Sequence, residues 1–131
     1  MVIKVSNTNQ PKWTDLNIHA NLPKNLSKLQ EIANNLWWVW NSEAKNIFRK
    51  IDLDAWHQAQ SNPVVLLNTI SYDRMLELSK DEAFMKELDA VYADFRAYMD
   101  EPKDPKNPSV AYFSREYGLT QVLKIYSGGL G

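Results

Sequence analysis

From Pro23 onward, apolar residues recur at helical spacing: Leu26, Leu29, Ile32, Ala33, Leu36, Trp37 and Trp40. At about 100° per residue they fall on one arc of roughly 140°, which predicts a single core-facing stripe. Trp38 falls nearly opposite on the same wheel, so the run "WWVW" is expected to place rings on two faces of one helix. Pro23 itself is a favoured first-turn residue. Polar caps punctuate the chain beyond Trp40: Ser42 before "EAKNIFRKI", Asp52 or Asp54 before "AWHQAQ", Asn62 with Pro63 before "VVLLNTI", and Ser71 before "YDRMLELSK". Asp81 precedes the longest periodic run, in which Phe84, Leu88, Val91, Tyr92, Phe95 and Met99 form the stripe. Glu82 and Lys86 are expected to pair outward at i,i+4. The prediction is a mainly α protein, with a helical bundle over residues 22–100 built from one long pair and several short helices.

The flanks read differently. Residues 1–21 show no helical period, and Val2, Ile3 and Val5, then Leu16 and Ile18, predict two short extended segments around a turn at 7–11. "DEPKDPKNPS" carries three prolines among charges, which makes 101–109 a linker. "VAYFS" at 110–114 is apolar and β-rich and predicts a strand. A loop follows, and "KIYSGGLG" holds three of the four glycines. No internal repeat is evident.

Charge narrows the possible partners. With 15 basic and 16 acidic residues the net charge is -1, so no global field favours nucleic acid or acidic lipid. The absence of cysteine removes disulfides and thiolate metal sites and fits a reducing compartment. No stretch reads as a signal peptide or a membrane span, which makes a cytoplasmic location the expectation. Five tryptophans, six tyrosines and four phenylalanines are a large aromatic content, most of it expected in the core.

Candidate chemistry is concentrated near the end of the chain. Glycines clustered after an apolar run let a backbone approach an anion, so Gly128, Gly129, Leu130 and Gly131 could form a phosphate loop; a flexible terminus has the same composition. The stretch is neither a Walker A loop nor a dinucleotide fingerprint. Glu116 follows the predicted strand, where open α/β sheets place ligand contacts, and could equally be a surface carboxylate beside Arg115. His19 and His57 have no metal-like neighbour at i+3 or i+4, no Ser/His/Asp arrangement is evident, and no metal site is expected. An outward Trp38 could stack on a sugar, or pack against the N-terminal segment or a partner domain.

Taken together, "LPKNLSKLQEIANNLWWVWNSEAKNIFRKID", "NPVVLL", "VAYFSREYGL" and "KIYSGGLG" resemble the N-terminal region of the bacterial and archaeal type of α-glucan phosphorylase, over residues 22–131. The resemblance implies a helical N-terminal domain followed by the first strand and glycine loop of a truncated GT-B-type α/β domain at 110–131. Such enzymes use pyridoxal 5'-phosphate and inorganic phosphate to cleave a terminal α-1,4-linked glucose, giving glucose 1-phosphate. By this resemblance the amides of Gly128, Gly129 and Leu130 would cradle phosphate and sugar, Gly131 would set the turn, and Glu116 would line the sugar site. The cofactor lysine lies much later in the family, so the chain is expected to be a fragment that contributes one wall of a site. It would hold no catalytic residue, bind no cofactor and be inactive alone. Its partners would be the remaining catalytic domains, α-1,4-glucan and phosphate, with no nucleic acid and no membrane.

Some positions depart from the family pattern. Arg115 stands where many relatives have a small or apolar residue, Tyr117 replaces a common Phe, and "TQVLK" at 120–124 replaces a segment that often holds His and Pro. Two other readings remain at this level. One is the front of a nucleotide-sugar-dependent glucan synthase, in which a Lys-Thr-like pair usually stands where Tyr126-Ser127 precedes the glycines. The other is a free-standing helical carbohydrate-binding or interaction module with Trp13 and Trp38 as platforms.

Overall fold

A computed structural model describes residues 22–108, 110–113 and 118–123. Among these the chain forms α1 (Ser27–Ala33), α2 (Ser42–Ile51), α3 (Leu53–Gln58), α4 (Pro63–Thr69), α5 (Tyr72–Leu78) and α6 (Glu82–Met99). Short 3-10 turns lie at Lys24–Leu26 and Leu36–Val39. The expected helical bundle is present among the described residues, with α6 as its one long helix rather than one of a long pair. The predicted N-terminal extended segments lie outside the described residues.

The expected single stripe through Trp40 is not present, because α1 stops after Ala33. Asn35 is extended (φ -117, ψ 134), and its side-chain oxygen accepts the Trp37 N–H at 2.9 Å, which starts a separate 3-10 turn. The break resets the rotational phase, since a 3-10 turn advances faster per residue than an α-helix. Trp37, Trp38 and Val39 are consequently all buried, whereas Leu36 and Trp40 are 43% and 61% exposed. Trp38, placed outward by the wheel, lies inside.

Capping explains the remaining helix starts. Asn62, Ser71 and Asp81 cap α4, α5 and α6, and Asp52 rather than Asp54 caps α3. At α2 the cap is Asn41, whose side chain accepts the Ala44 N–H at 2.9 Å, and the predicted Ser42 is already helical. Each such oxygen satisfies an amide that the helix leaves without an internal partner.

The long helix α6 lays Phe84, Leu88, Val91 and Phe95 into the core and touches α1 and α2. Met99, expected on the same stripe, is 45% exposed at its end. Polar ties fasten the outer edges: Lys28 to Asp89 at 2.7 Å, Lys50 to Glu87, and the Tyr92 hydroxyl, which donates to Glu31 at 2.8 Å. The expected Glu82–Lys86 pair is not among the ion pairs of the described residues. No described polar or charged residue is buried, so the core is wholly apolar.

After α6 the pattern changes. Residues 101–108 are exposed and carry no helix or strand, as a proline-rich linker requires. The described part of the predicted strand, 110–113, also has no regular structure, with Val110, Tyr112 and Phe113 at 84%, 72% and 93% exposure. A strand exists only through its neighbours, and no strand is formed among the described residues.

Candidate functional site

Glu116, Gly128, Gly129, Leu130 and Gly131, the residues singled out in the sequence, lie outside the described residues, as do Trp13 and His19. Residues 118–123, between Glu116 and the glycines, are described. Leu119 and Val122 return to the helical core and pack on it half-buried. Thr120 organises this return: its carbonyl accepts the Leu123 N–H at 3.1 Å and its hydroxyl accepts the Val122 N–H at 3.4 Å.

A cleft of about 410 Å³ lies where this segment meets the bundle, lined by Trp38, Val39, Lys45, Arg49, Trp56, His57, Ser61, Leu119, Thr120 and Gln121. Its floor is an aromatic cluster. Phe48 of α2 and Trp56 of α3 stack with centroids 6.1 Å apart and planes 4° from parallel. Trp38 meets both edge-on, at 6.4 Å and 6.3 Å. Edge-to-face and offset-stacked geometries match the ring quadrupoles, so the floor is rigid as well as apolar.

The walls follow from the two helices. Lys45 and Arg49 are one turn apart on α2 and therefore share a face. Asp52 is extended (φ -166, ψ 117) and turns the chain into α3, which brings Trp56 and His57 to the same side. Beyond α3, Gln60 and Ser61 both take left-handed conformations, φ 53 and 60, which non-glycine residues adopt at an energetic cost. The turn is held by backbone bonds from Gln60 N–H to the His57 carbonyl and from Ser61 N–H to the Trp56 carbonyl, both 3.0 Å. This turn places Ser61 at the lip of the cleft.

Chemically the described lining is rich in donors and contains no carboxylate. No hydrogen bond among the described residues of the cleft pairs a nucleophile with a base, and no group of three or more His, Asp or Glu that could hold a metal occurs among the described residues. Sequence reasoning placed Trp38 outside the core because it ran one helix through Asn34-Asn35. That pair, weak in helices and strong as caps, was the available signal. Trp38, weighed there as a sugar platform, has 4% of its surface exposed and spends its ring on Phe48 and Trp56, so it offers no open face. Among the described residues no helix is long and apolar enough to cross a membrane.

Residues 22–123 match a family described as "Protein of unknown function (DUF3417)". The chain is 40% identical over 121 residues to a maltodextrin phosphorylase of Thermococcus litoralis, an alignment covering 87% of this chain and 14% of that relative. It is 35% identical over 126 residues to a glycogen phosphorylase of Mycobacterium tuberculosis, with 87% and 15% covered. A glycogen phosphorylase of Aquifex aeolicus is 40% identical over 107 residues, with 79% and 15% covered. The chain thus spans 14–15% of the length of these curated relatives. No solved structure matches significantly.

Proposed function

The chain belongs to the DUF3417 family and corresponds to the N-terminal region of glycogen and maltodextrin phosphorylases, and from that premise we propose that it is the helical front part of an α-glucan phosphorylase. Such an enzyme cleaves a terminal α-1,4-linked glucose with inorganic phosphate and releases glucose 1-phosphate. The observation that carries this reading is identity of 35–40% over most of the chain to proteins named maltodextrin or glycogen phosphorylase.

In this proposal the bundle is a scaffold. Residues 101–109 link it to the start of a GT-B catalytic domain, in which 110–114 would enter a parallel sheet and Glu116 would line the sugar site. Gly128, Gly129 and Leu130 would present amides to phosphate and sugar, with Gly131 setting the turn, an arrangement supported by the general affinity of glycine-rich backbone for anions. The pyridoxal phosphate of such enzymes finds no fit among the described residues. A Schiff-base lysine is desolvated, and every described lysine is at least partly exposed. This proposal assigns cofactor chemistry to the remainder of the enzyme, and the 131 residues alone are expected to be inactive. In this proposal the enzyme is cytoplasmic and acts on glucan and phosphate.

The test is expression of the gene through the sequence downstream of Gly131, with glucose 1-phosphate measured from maltooligosaccharide and phosphate. Activity in the longer product and none in residues 1–131 is the expected result. A stop codon directly after Gly131, or release of glucose 1-phosphate by these 131 residues alone, would overturn the proposal. Transfer of glucose from a nucleotide sugar by the longer product would instead support the glucan synthase reading.

A further inference from the structure

We propose that the cleft between α2, α3 and residues 119–121 binds a phosphomonoester, with Lys45 and Arg49 holding the phosphate above the Trp38 and Trp56 floor. The first ground is charge. Among the described residues the lining contains two fixed cations and His57 but no Asp or Glu. A second cleft, lined in part by Glu101, Lys103 and Asp104, mixes both signs, and a third, around Leu67, Asn68 and Tyr72, has Lys24 as its one charged residue.

The second ground is what these cations do in the fold. The ion pairs of the described residues engage Lys28, Lys50, Arg74 and Arg96, and none engages Lys45 or Arg49. Like charges at i,i+4 repel, so α2 carries at this face a repulsion that an anion would relieve. The third ground is the floor. Neither indole N–H of Trp38 and Trp56 bonds to a described residue, and no buried side-chain nitrogen among these residues lacks a partner, so both donors reach the surface. At about 410 Å³ the cleft falls within the range of small-molecule sites, roughly 300–1,000 Å³.

Together these features select among anions. A single carboxylate would neutralise one cation, whereas a phosphomonoester, close to doubly charged at neutral pH, meets both. Arg49 offers a planar fork for two of its oxygens and Lys45 a point charge for a third. The inference rests on the cleft alone and stands or falls separately from the phosphorylase reading.

The test uses the 131-residue chain, with its indole N–H resonances followed by two-dimensional nuclear magnetic resonance. Glucose 1-phosphate serves as the phosphomonoester, with inorganic phosphate and glucose titrated in parallel. Saturable movement of the Trp38 and Trp56 indole signals with glucose 1-phosphate is expected, with Trp40 unmoved and no response to glucose. Inorganic phosphate should move the same signals more weakly. Combined Lys45→Gln and Arg49→Gln substitution should weaken binding about tenfold or more. Raising the salt concentration with the unaltered chain should weaken it too, a readout independent of whether the variant folds. No saturable movement, an equal response to glucose, or affinity indifferent to salt would overturn the proposal.

Discussion

The bundle and the segment after it use the same kinds of side chain with opposite results. Leu29, Phe48 and Leu88 are 0% exposed, while Val110 and Phe113 are 84% and 93% exposed. Hydrophobicity is therefore not what separates them. A helix satisfies its backbone hydrogen bonds internally and needs a neighbour only for its apolar face, so six short and long helices can assemble around one core. The segment 101–113 carries three prolines without amide donors and then a stretch whose backbone bonds, as a strand, would come only from other strands. Leu119 and Val122, which rejoin the core, flank and occupy a local turn at 120–123. Burial here follows backbone self-sufficiency first and side-chain character second.

The sharpest way to break this contrast is to truncate one aromatic in each region. Phe48→Ala or Trp38→Ala should cost roughly 3–5 kcal/mol in urea melts, because each removes a buried ring that packs on Trp56. Trp37→Ala should fall in the same range, since Trp37 meets Phe95 with centroids 5.4 Å apart. Phe113→Ala should stay within about 0.5 kcal/mol of the unaltered chain. A Trp38 variant as mild as the Phe113 variant would restore the single-helix reading of residues 26–40.

That reading shows where the sequence was legible. Five of the helices began at or beside the polar residue that periodicity and cap chemistry indicated, with Asn41 displacing Ser42 by one position. The stripe of α6 was also readable, because its run contains no competing break. The first stripe failed because Leu36 and Trp40 fit a wheel that the chain does not follow past Ala33, and a wheel has no means of registering an interruption. The basic cleft depends on α2, α3 and residues 119–121 meeting in space, which no local pattern encodes. Glu116 and Gly128–Gly131 were singled out from strand position, glycine clustering and family resemblance, and they lie outside the described residues.

Hydrogen exchange extends the comparison to the backbone. Amides around Leu88 in α6 should exchange only on global opening, whereas those of Val110, Ala111 and Phe113 should exchange at close to the rate of an open chain. Comparable protection in the two places would mean that 110–113 has found strand partners, within the chain or in a second copy. Caps allow a matched pair of smaller tests. Asp81 accepts the Ala83 and Phe84 amides at 2.9 and 3.1 Å at the start of α6, and Asp104 accepts the Lys106 amide at 2.9 Å in the linker. Asp81→Ala should lower stability by about 1 kcal/mol, while Asp104→Ala should leave the melt unchanged because the linker supports no core. A linker variant as costly as the Asp81 variant would show the two regions to be coupled.

The smallest effect expected is at Tyr92, where a polar tie on the bundle's surface can be separated from packing by pH. The Tyr92 hydroxyl donates to Glu31, and this bond, with a lesser contribution from desolvation, raises its pKa above the ordinary value of 10.0. Lys28 and Arg96 act in the opposite direction. A group whose pKa is higher in the folded state contributes stability that is fully present below the unfolded value and is lost as pH rises through the folded one. Tyr92→Phe removes the hydroxyl and keeps the ring, which lies 6.1 Å from that of Phe95. The variant should therefore be slightly less stable than the unaltered chain at neutral pH, and the difference should shrink as pH is raised through and beyond about 10. Other tyrosines titrate in both proteins, so the difference between the two urea-melt series isolates this residue. A gap that stays constant across the alkaline range would mean that the hydroxyl is not held by Glu31, and that the outer tie between α1 and α6 rests on Lys28 and Asp89 alone.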